Sequence, residues 1–264
     1  MARIFTVPAA FEFVTTKSEW TVATARILGW RERDGDGVLD DEHLKAEVSD
    51  GPFAGRVFQL QLQQLPEDIW DRCLTAGEPE DIENICSGFT PLVLVADKHP
   101  RPSRNADAWQ MRDEFIRMKP TVDDVIKFLD KWGRWKSSDT ELLDDVIRAR
   151  ARLRNELLLP PEQWLRRVPW FMGHMSRIHS YPYSKIRTEK CEFAITMATA
   201  IDFLNDVKFK KCARPDCNNP FEVKSGHGQQ FCVQYCGHLV SMKRNRAKAK
   251  KARESGKTRF RKEG

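Results

Sequence analysis

Four cysteines near the end of this 264-residue chain constrain its fold more than any other feature. Cys212 and Cys217 enclose four residues, Cys232 and Cys236 enclose three, and fourteen residues separate the two pairs. Two close pairs joined by a hairpin-length spacer can surround one tetrahedral ion, and thiolates suit zinc. We therefore expect one structural Zn²⁺ bound by all four cysteines. Such a site has no open coordination position, so we expect it to fold the chain and not to catalyse a reaction.

Other cysteine chemistry fits this spacing less well. An iron–sulfur cluster also uses four cysteines, but no neighbouring segment suggests an electron-transfer partner. Neither pair has the C-x-x-C spacing of a redox dithiol, and seven cysteines, an odd number, argue against a disulfide framework. His227 and His238 are alternative ligands, which four cysteines make unnecessary. The other three cysteines lie in partly apolar segments and are predicted to be small core residues: Cys73, Cys86 and Cys191.

The residues around the cysteines predict a small metal-binding module. Pro215 and Asp216 predict a turn inside the first pair. The segments "PFEV" and "QQFCV" predict the two strands of a hairpin around "KSGHGQ". The second pair opens a predicted helix, whose N-terminus favours thiolate charge. Turn, hairpin and ligand-bearing helix together indicate a treble-clef-like finger that depends on its metal to fold.

A dense run of Lys and Arg follows the fourth cysteine. Residues 208–264 hold sixteen basic and four acidic residues, a net charge of +12, whereas residues 1–207 carry −6. This asymmetry is typical of an ordinary globular body joined to a nucleic-acid-binding end. The alternative is a solvated tail that only aids solubility. The residues predicted to contact nucleic acid are Lys243, Arg244, Asn245, Arg246, Lys248, Lys250, Lys251 and Arg253.

The spacing and type of these residues suggest which of them contact phosphates and which contact base edges. Arg246, Lys250 and Arg253 share one face of a helix, where they can pair with phosphates. Arg244, Asn245 and Arg246 carry side chains of the types that read base edges. Few aromatic residues interleave the basic ones, which argues against single-strand stacking. We therefore favour double-stranded DNA over RNA as the partner.

The rest of the chain predicts an α+β fold with a mixed region at 1–105 and a mainly helical region at 106–207, followed by the finger at 208–264. Strands are predicted at "RIFTV", "VFQLQLQ" and "TPLVLVAD", and a helix at "PEDIWDRCL". The Pro-rich "DKHPRPSRNAD" predicts a loop.

Three helices are predicted in the middle region. "TVDDVIKFLDKW" opens on Thr121, and "SDTELLDDVIRARARLRNELLL" opens on Ser138. "TEKCEFAITMATAIDFLND" is apolar nearly all round, which indicates a buried helix leading to the cysteines.

Two weaker patterns could indicate other sites. Residues 32–43 partly match a calcium loop, but position twelve is His43 where a bidentate Glu is required, so an acidic turn is the better interpretation. His174 and His179 could form a catalytic pair, although ordinary core or surface histidines are the more economical explanation. No phosphate loop, nucleophile elbow or metalloprotease motif is present, so we do not expect an enzyme. Neither a membrane span nor a signal peptide is apparent, and we expect a cytoplasmic protein.

The segment "CARPDC…PFEV…QFCVQYCGHLVSMKRNRAK" resembles the C-terminal finger of the CGNR zinc-finger proteins. The resemblance implies a helical body of the ABATE type before the finger, and a role in bacterial transcription regulation through DNA. His238 and Leu239 stand where that family has Asn and Arg. The body would bind a small molecule or a protein partner. The alternative is a zinc-braced adaptor between proteins, or a defence-related component, without DNA binding of its own.

Overall fold

The computed structural model describes residues 11–31, 43–61, 64–75, 81, 84–86, 88–97, 101–136, 139–160, 163, 186–224 and 228–260. These ranges contain helices and mostly antiparallel strands, which confirms the predicted α+β class. The chain divides into two compact units. The first comprises Met1–Leu153 and Val168–Ile201, and the second comprises Arg154–Arg167 and Asp202–Gly264. The predicted three-part division at 105 and 207 stays a prediction.

A five-stranded antiparallel sheet organises the first unit. Its strands are β2 (Trp20–Arg31), β3 (His43–Val48), β4 (Val57–Gln61), β5 (Leu92–Ala96) and β7 (Thr140–Leu142), in the order β4-β3-β2-β5-β7. Strand β4 confirms the strand predicted at "VFQLQLQ", with Leu60 buried and Gln59 exposed. Strand β5 likewise confirms the one predicted at "TPLVLVAD".

One face of this sheet forms a hydrophobic core with helix α1 (Glu67–Thr75). Ala25, Leu44 and Val93 are fully buried on that face. Cys73 and Cys86 lie in the same core with their Sγ atoms 3.8 Å apart. Burial raises the pKa of both thiols, that of Cys86 to about 12, so they are inert core residues as predicted.

A second sheet has the order β6-β1-β8, with β1 at Phe11–Lys17, β6 at Arg101–Ala106 and β8 at Ile186–Thr188. Strand β6 corrects the loop predicted at "DKHPRPSRNAD". It is an edge strand, and its pairing with β1 shifts register next to Pro102. Proline is tolerated in a sheet at edges and bulges, because a missing N–H costs no ladder hydrogen bond there.

Side-chain caps begin two helices of the first unit. Helix α2 (Ala108–Arg117) is capped by Asp107, which accepts from the N–H of Trp109 at 2.8 Å. Helix α3 (Val122–Trp132) is capped by Thr121 as predicted. Gly133 ends α3 with φ 106°, and a side chain there would collide with Thr16.

Helices α4 (Leu143–Glu156) and α5 (Cys191–Leu204) complete the middle region. The start predicted for α4 at Ser138 is wrong, because Thr140–Leu142 instead form β7 and bury their side chains against β5. Helix α5 is mostly buried as predicted, including Cys191 at its start. The predicted strand at residues 3–7, His174, His179 and His227 lie outside the described residues, as do all residues of the calcium-like loop at 32–43 except His43, which begins β3.

None of the helices within the described ranges combines the length and apolar character that crossing a bilayer requires.

Candidate metal centre and basic helix

A short antiparallel hairpin in the second unit positions the first two cysteines. Strand β9 (Phe209–Lys211) pairs with β10 (Pro220–Glu222), and Cys212 follows β9 directly. The N–H of Cys212 donates to the carbonyl of Asn219 at 2.9 Å, which closes the turn. This corrects the predicted hairpin. "PFE" pairs with residues that precede the first cysteine, and not with "QQFCV", so the cysteine turn itself is the hairpin connection.

The turn between the first two cysteines is fixed by local hydrogen bonds. The N–H of Cys217 donates to the carbonyl of Arg214 at 3.0 Å. Asn218 has a positive φ of 51° and its Nδ2 donates to the carbonyl of Pro215 at 2.7 Å. Asparagine tolerates this left-handed conformation better than most residues. The turn thus points both sulfur atoms to one side.

The second pair of cysteines lies where helix α6 (Gln234–Phe260) begins. Cys232 precedes the helix, and Cys236 lies in its first turn. The N–H of Ala213 donates to the carbonyl of Gln230 at 2.8 Å and ties the first turn to this segment. As predicted, the fourth cysteine is therefore part of the helix that carries the basic residues.

The four sulfur atoms form a cluster that fits one metal ion. They all lie within 4.8 Å of one another, and Sγ of Cys232 is 3.6 Å from those of Cys217 and Cys236. A tetrahedral ion with metal–sulfur bonds of about 2.3 Å separates its ligands by about 3.8 Å. The four cysteines predicted from spacing alone are therefore brought together at the separation that such an ion requires. Among the described residues, this is the one such group of Cys, His, Asp or Glu side chains.

The surroundings of the sulfur atoms favour deprotonation of Cys212 and oppose deprotonation of Cys232 and Cys236. Burial tends to raise the pKa of Cys212, but the backbone N–H groups of Cys232 and Arg214 donate to its sulfur and lower that pKa overall. Burial raises the pKa of Cys232, and the neighbouring cysteines raise it further. Burial also raises the pKa of Cys236. Four adjacent thiolates need a cation between them, which is the donor chemistry of a closed metal site.

A small apolar core surrounds the cluster. Phe221 is buried, and Val223 and Phe231 pack against the cysteines. A Cβ atom added to Gly237 would lie 3.1 Å from the ring of Phe231, so glycine lets this ring approach the helix closely. Such a small core provides limited stability by itself, and a bound metal would provide the rest.

Arg154, at the end of α4, makes a contact with the finger that no residue pattern indicated. Its Nη2 donates to the carbonyl of Cys217 at 3.2 Å. Helix α4 contains several arginines, and nothing in the sequence distinguishes Arg154 from the others as the one that makes this long-range hydrogen bond.

Beyond the cysteines, helix α6 is largely exposed and rich in Lys and Arg. Leu239 and Val240 are half-buried, and residues 241–251 are exposed throughout. All eight residues predicted to contact nucleic acid lie on α6 and are exposed, although Lys250 has an interaction within the chain. Over 241–251 the exposed helix is mostly charged or polar, which suits contact with a partner or with solvent.

Comparison with protein-family models, with curated proteins and with solved structures finds no match for this chain. The resemblance to CGNR zinc-finger proteins therefore stays a prediction that depends on the cysteines and the basic helix.

Proposed function

We propose that this protein is a nucleic-acid-binding protein whose C-terminal module is folded by one structural Zn²⁺ and presents helix α6 to double-stranded DNA. The observation that carries the proposal is the junction at Cys236. One residue belongs both to the four-cysteine cluster and to the helix that holds the Lys and Arg residues. Metal binding at Cys236 would fix the direction of that helix.

Zinc is the ion that best suits the four sulfur atoms. Structural zinc sites use four ligands in a tetrahedron, and thiolate is a preferred donor. When bound, the ion would supply folding free energy and no chemistry, because all four positions would be occupied by protein. Backbone N–H groups that donate to Cys212 would help it to stay deprotonated as a ligand.

Phosphate contact is favoured by the charge and exposure of α6. Residues 208–264 carry a net charge of +12, and the basic residues of α6 up to Arg253 are exposed. Pairing of Lys and Arg with phosphates releases counterions, so affinity falls steeply with salt. With about five contacts, the slope of log K against log salt is about −4.5, an affinity loss of about 500-fold between 50 and 200 mM.

Duplex DNA is favoured over RNA because a single helix fits the major groove of B-form DNA, whereas that groove is too narrow in A-form RNA. The resemblance stated above extends the proposal to transcription regulation in bacteria, with a ligand or partner bound by the body. We propose no catalytic role for the protein.

The proposal is tested by two variants that remove the same charge from different places. In the first, Arg246, Lys248 and Lys251 of α6 are replaced by Gln. In the second, the control, Arg117, Lys119 and Lys127 of the first unit are replaced by Gln; these are exposed as well. Only the first variant should weaken binding to a labelled duplex and reduce the salt slope, and deletion of residues 243–264 should abolish binding. Equal effects of the two triple variants, or no duplex binding by the full-length protein at low salt, would contradict the proposal.

The adaptor function has one observation in its favour. Tyr235 and Val233, at the start of α6, are 64% and 38% exposed. Exposed aromatic and aliphatic side chains are common at protein interfaces. If the full-length protein binds no nucleic acid, this surface becomes the first place to look for a protein partner.

A further inference from the structure

Four uncharged hydrogen-bonding residues form a stripe along α6, which the basic residues obscure in the sequence. They are Gln234, His238, Ser241 and Asn245, spaced i, i+4, i+7 and i+11, and all are exposed. At about 100° per residue, these side chains project within about 60° of one another. We call these four residues the polar stripe.

The polar stripe faces away from the metal cluster. Cys236 projects about 170° from the centre of the stripe around the helix axis. Cys236 itself is buried on that side, whereas all four residues of the stripe are exposed. A partner can therefore reach the stripe while the finger holds the helix from behind.

Cations border the polar stripe on both sides. At about 100° per residue, Arg244 and Lys248 lie about 50–90° to one side, and Arg246 and Arg253 lie about 90–110° to the other. Lys243, by contrast, lies on the back of the helix, about 170° from the stripe. A helix in the major groove meets base edges along its centre and phosphates along both flanks, and this distribution matches that geometry.

The loop before α6 extends the polar stripe at its N-terminal end. Gln234 and His238 line a shallow groove of about 560 Å³ together with Gln229, Gln230 and Phe231. Gln229 is held by a hydrogen bond from its Nε2 to the carbonyl of Phe231 at 3.1 Å, and Gln230 is exposed. Val233 and Gly237 complete the groove, which therefore carries no formal charge and combines amide groups with apolar surface beside a strongly cationic helix.

We infer that the polar stripe reads base edges in the major groove of duplex DNA, so that the protein binds a preferred sequence. This inference rests on the proposed function and adds specificity to it. Amide side chains pair bidentately with the N6 and N7 atoms of adenine, which predicts adenines in the preferred site. Gln234 and Asn245 are about 16 Å apart along the helix, so the stripe spans about five base pairs.

The experiment begins with the zinc-loaded full-length protein and two random pools, one of duplex DNA and one of RNA. Selection should enrich a duplex site of about five base pairs that contains adenine. Affinities are then measured for the selected duplex and for a scrambled duplex at one salt concentration. Gln234→Ala and Asn245→Ala should each lower the ratio of the two affinities by about 5- to 100-fold, with affinity for the scrambled duplex changed less than about twofold.

Two further variants separate base reading from charge. Lys248→Ala, at the edge of the stripe, should weaken both duplexes alike and reduce the salt slope by about one. Lys127→Ala, on an exposed position of helix α3 in the first unit, should change neither duplex appreciably. All four replaced residues are exposed and alanine favours helix, so zinc content and circular dichroism should match the wild type.

The outcomes distinguish this inference from the proposed function. The inference is overturned if the protein binds duplex DNA but selection enriches no sequence. It is also overturned if Gln234→Ala and Asn245→Ala lose the same affinity for both duplexes. Either outcome leaves the proposed nucleic-acid binding intact. Enrichment from the RNA pool alone overturns base reading in the major groove. Absence of binding to both pools overturns the inference together with the proposed function.

Discussion

The side chain of Glu141 is buried in the first unit, and its replacement by glutamine should change how stability depends on pH. Burial raises the pKa of this carboxyl from its ordinary value of 4.5 to about 8. The N–H of Lys136 donates to Oε1 at 2.8 Å and, with the Lys136 ammonium, opposes the rise. The carboxylates of Asp145 and Glu192 add to it. The folded protein therefore holds a proton on Glu141 at a pH where the unfolded chain has released it.

The sign and size of the effect follow from these two pKa values. Because the folded pKa is the higher one, stability is complete below pH 4.5 and is lost as pH rises towards 8. Ionisation of Glu141 then costs about 1 kcal/mol at pH 5 and about 3 kcal/mol at pH 7. Glutamine has no proton to lose and can still accept from Lys136. The advantage of Glu141→Gln over wild type should therefore grow by about 2 kcal/mol between pH 5 and pH 7.

Urea denaturation followed by tryptophan fluorescence measures this difference, and the fully buried Trp135 offers a probe in the same unit. Ser49→Ala is the control, because Ser49 is exposed and neither serine nor alanine titrates, so the difference in stability should not vary with pH. Other titrating groups are common to both proteins and cancel in the comparison. A pH-independent difference for Glu141→Gln would refute the reasoning, since it would mean that Glu141 ionises alike in both states.

Three further outcomes are expected. Cys232→Ser should weaken zinc binding by about 100- to 1,000-fold, because one ligand in four provides about a quarter of the roughly 10–16 kcal/mol that structural zinc supplies, whereas Cys73→Ala should retain one zinc per chain by metal analysis. Gly133→Ala should lower the urea midpoint with a loss of more than about 2 kcal/mol, because φ is 106° and Thr16 occupies the space, whereas Gly51→Ala meets open space and should lose less. Asp107→Ala should cost about 1 kcal/mol through the lost cap of α2, and a change below about 0.3 kcal/mol would contradict that assignment.

Features set by local chemistry could be predicted from the sequence. The spacing of the four cysteines predicts a shared metal ion, because few other cysteine sites have this spacing. The structure brings the four sulfur atoms together. Thr121 caps α3 because its hydroxyl accepts from the N–H of Asp124 in its own turn. Strand β4 follows from alternation within five residues. In each case the deciding interaction lies within a few residues of the pattern.

Features set by distant partners could not be predicted in this way. The prolines around strand β6 predict a loop. The segment is a strand because it pairs with β1, which is far away in the sequence. Thr140–Leu142 have helical neighbours, yet their pairing with β5 makes them a strand. The polar stripe could not be predicted for another reason, because its four residues are interspersed with Lys and Arg along the sequence. The helix geometry and the exposure of α6 were needed to separate the uncharged residues from the cations.

The most direct test of the central claim is the salt dependence of duplex binding by the zinc-loaded full-length protein, with and without prior removal of the metal. Fluorescence anisotropy with a labelled duplex between 50 and 200 mM salt should give a slope of log K against log salt between about −4 and −5. Removal of zinc should weaken binding, because Cys236 then no longer fixes helix α6. A slope near zero, or the same affinity with and without the metal, would contradict the claim that a metal-anchored helix binds the phosphates.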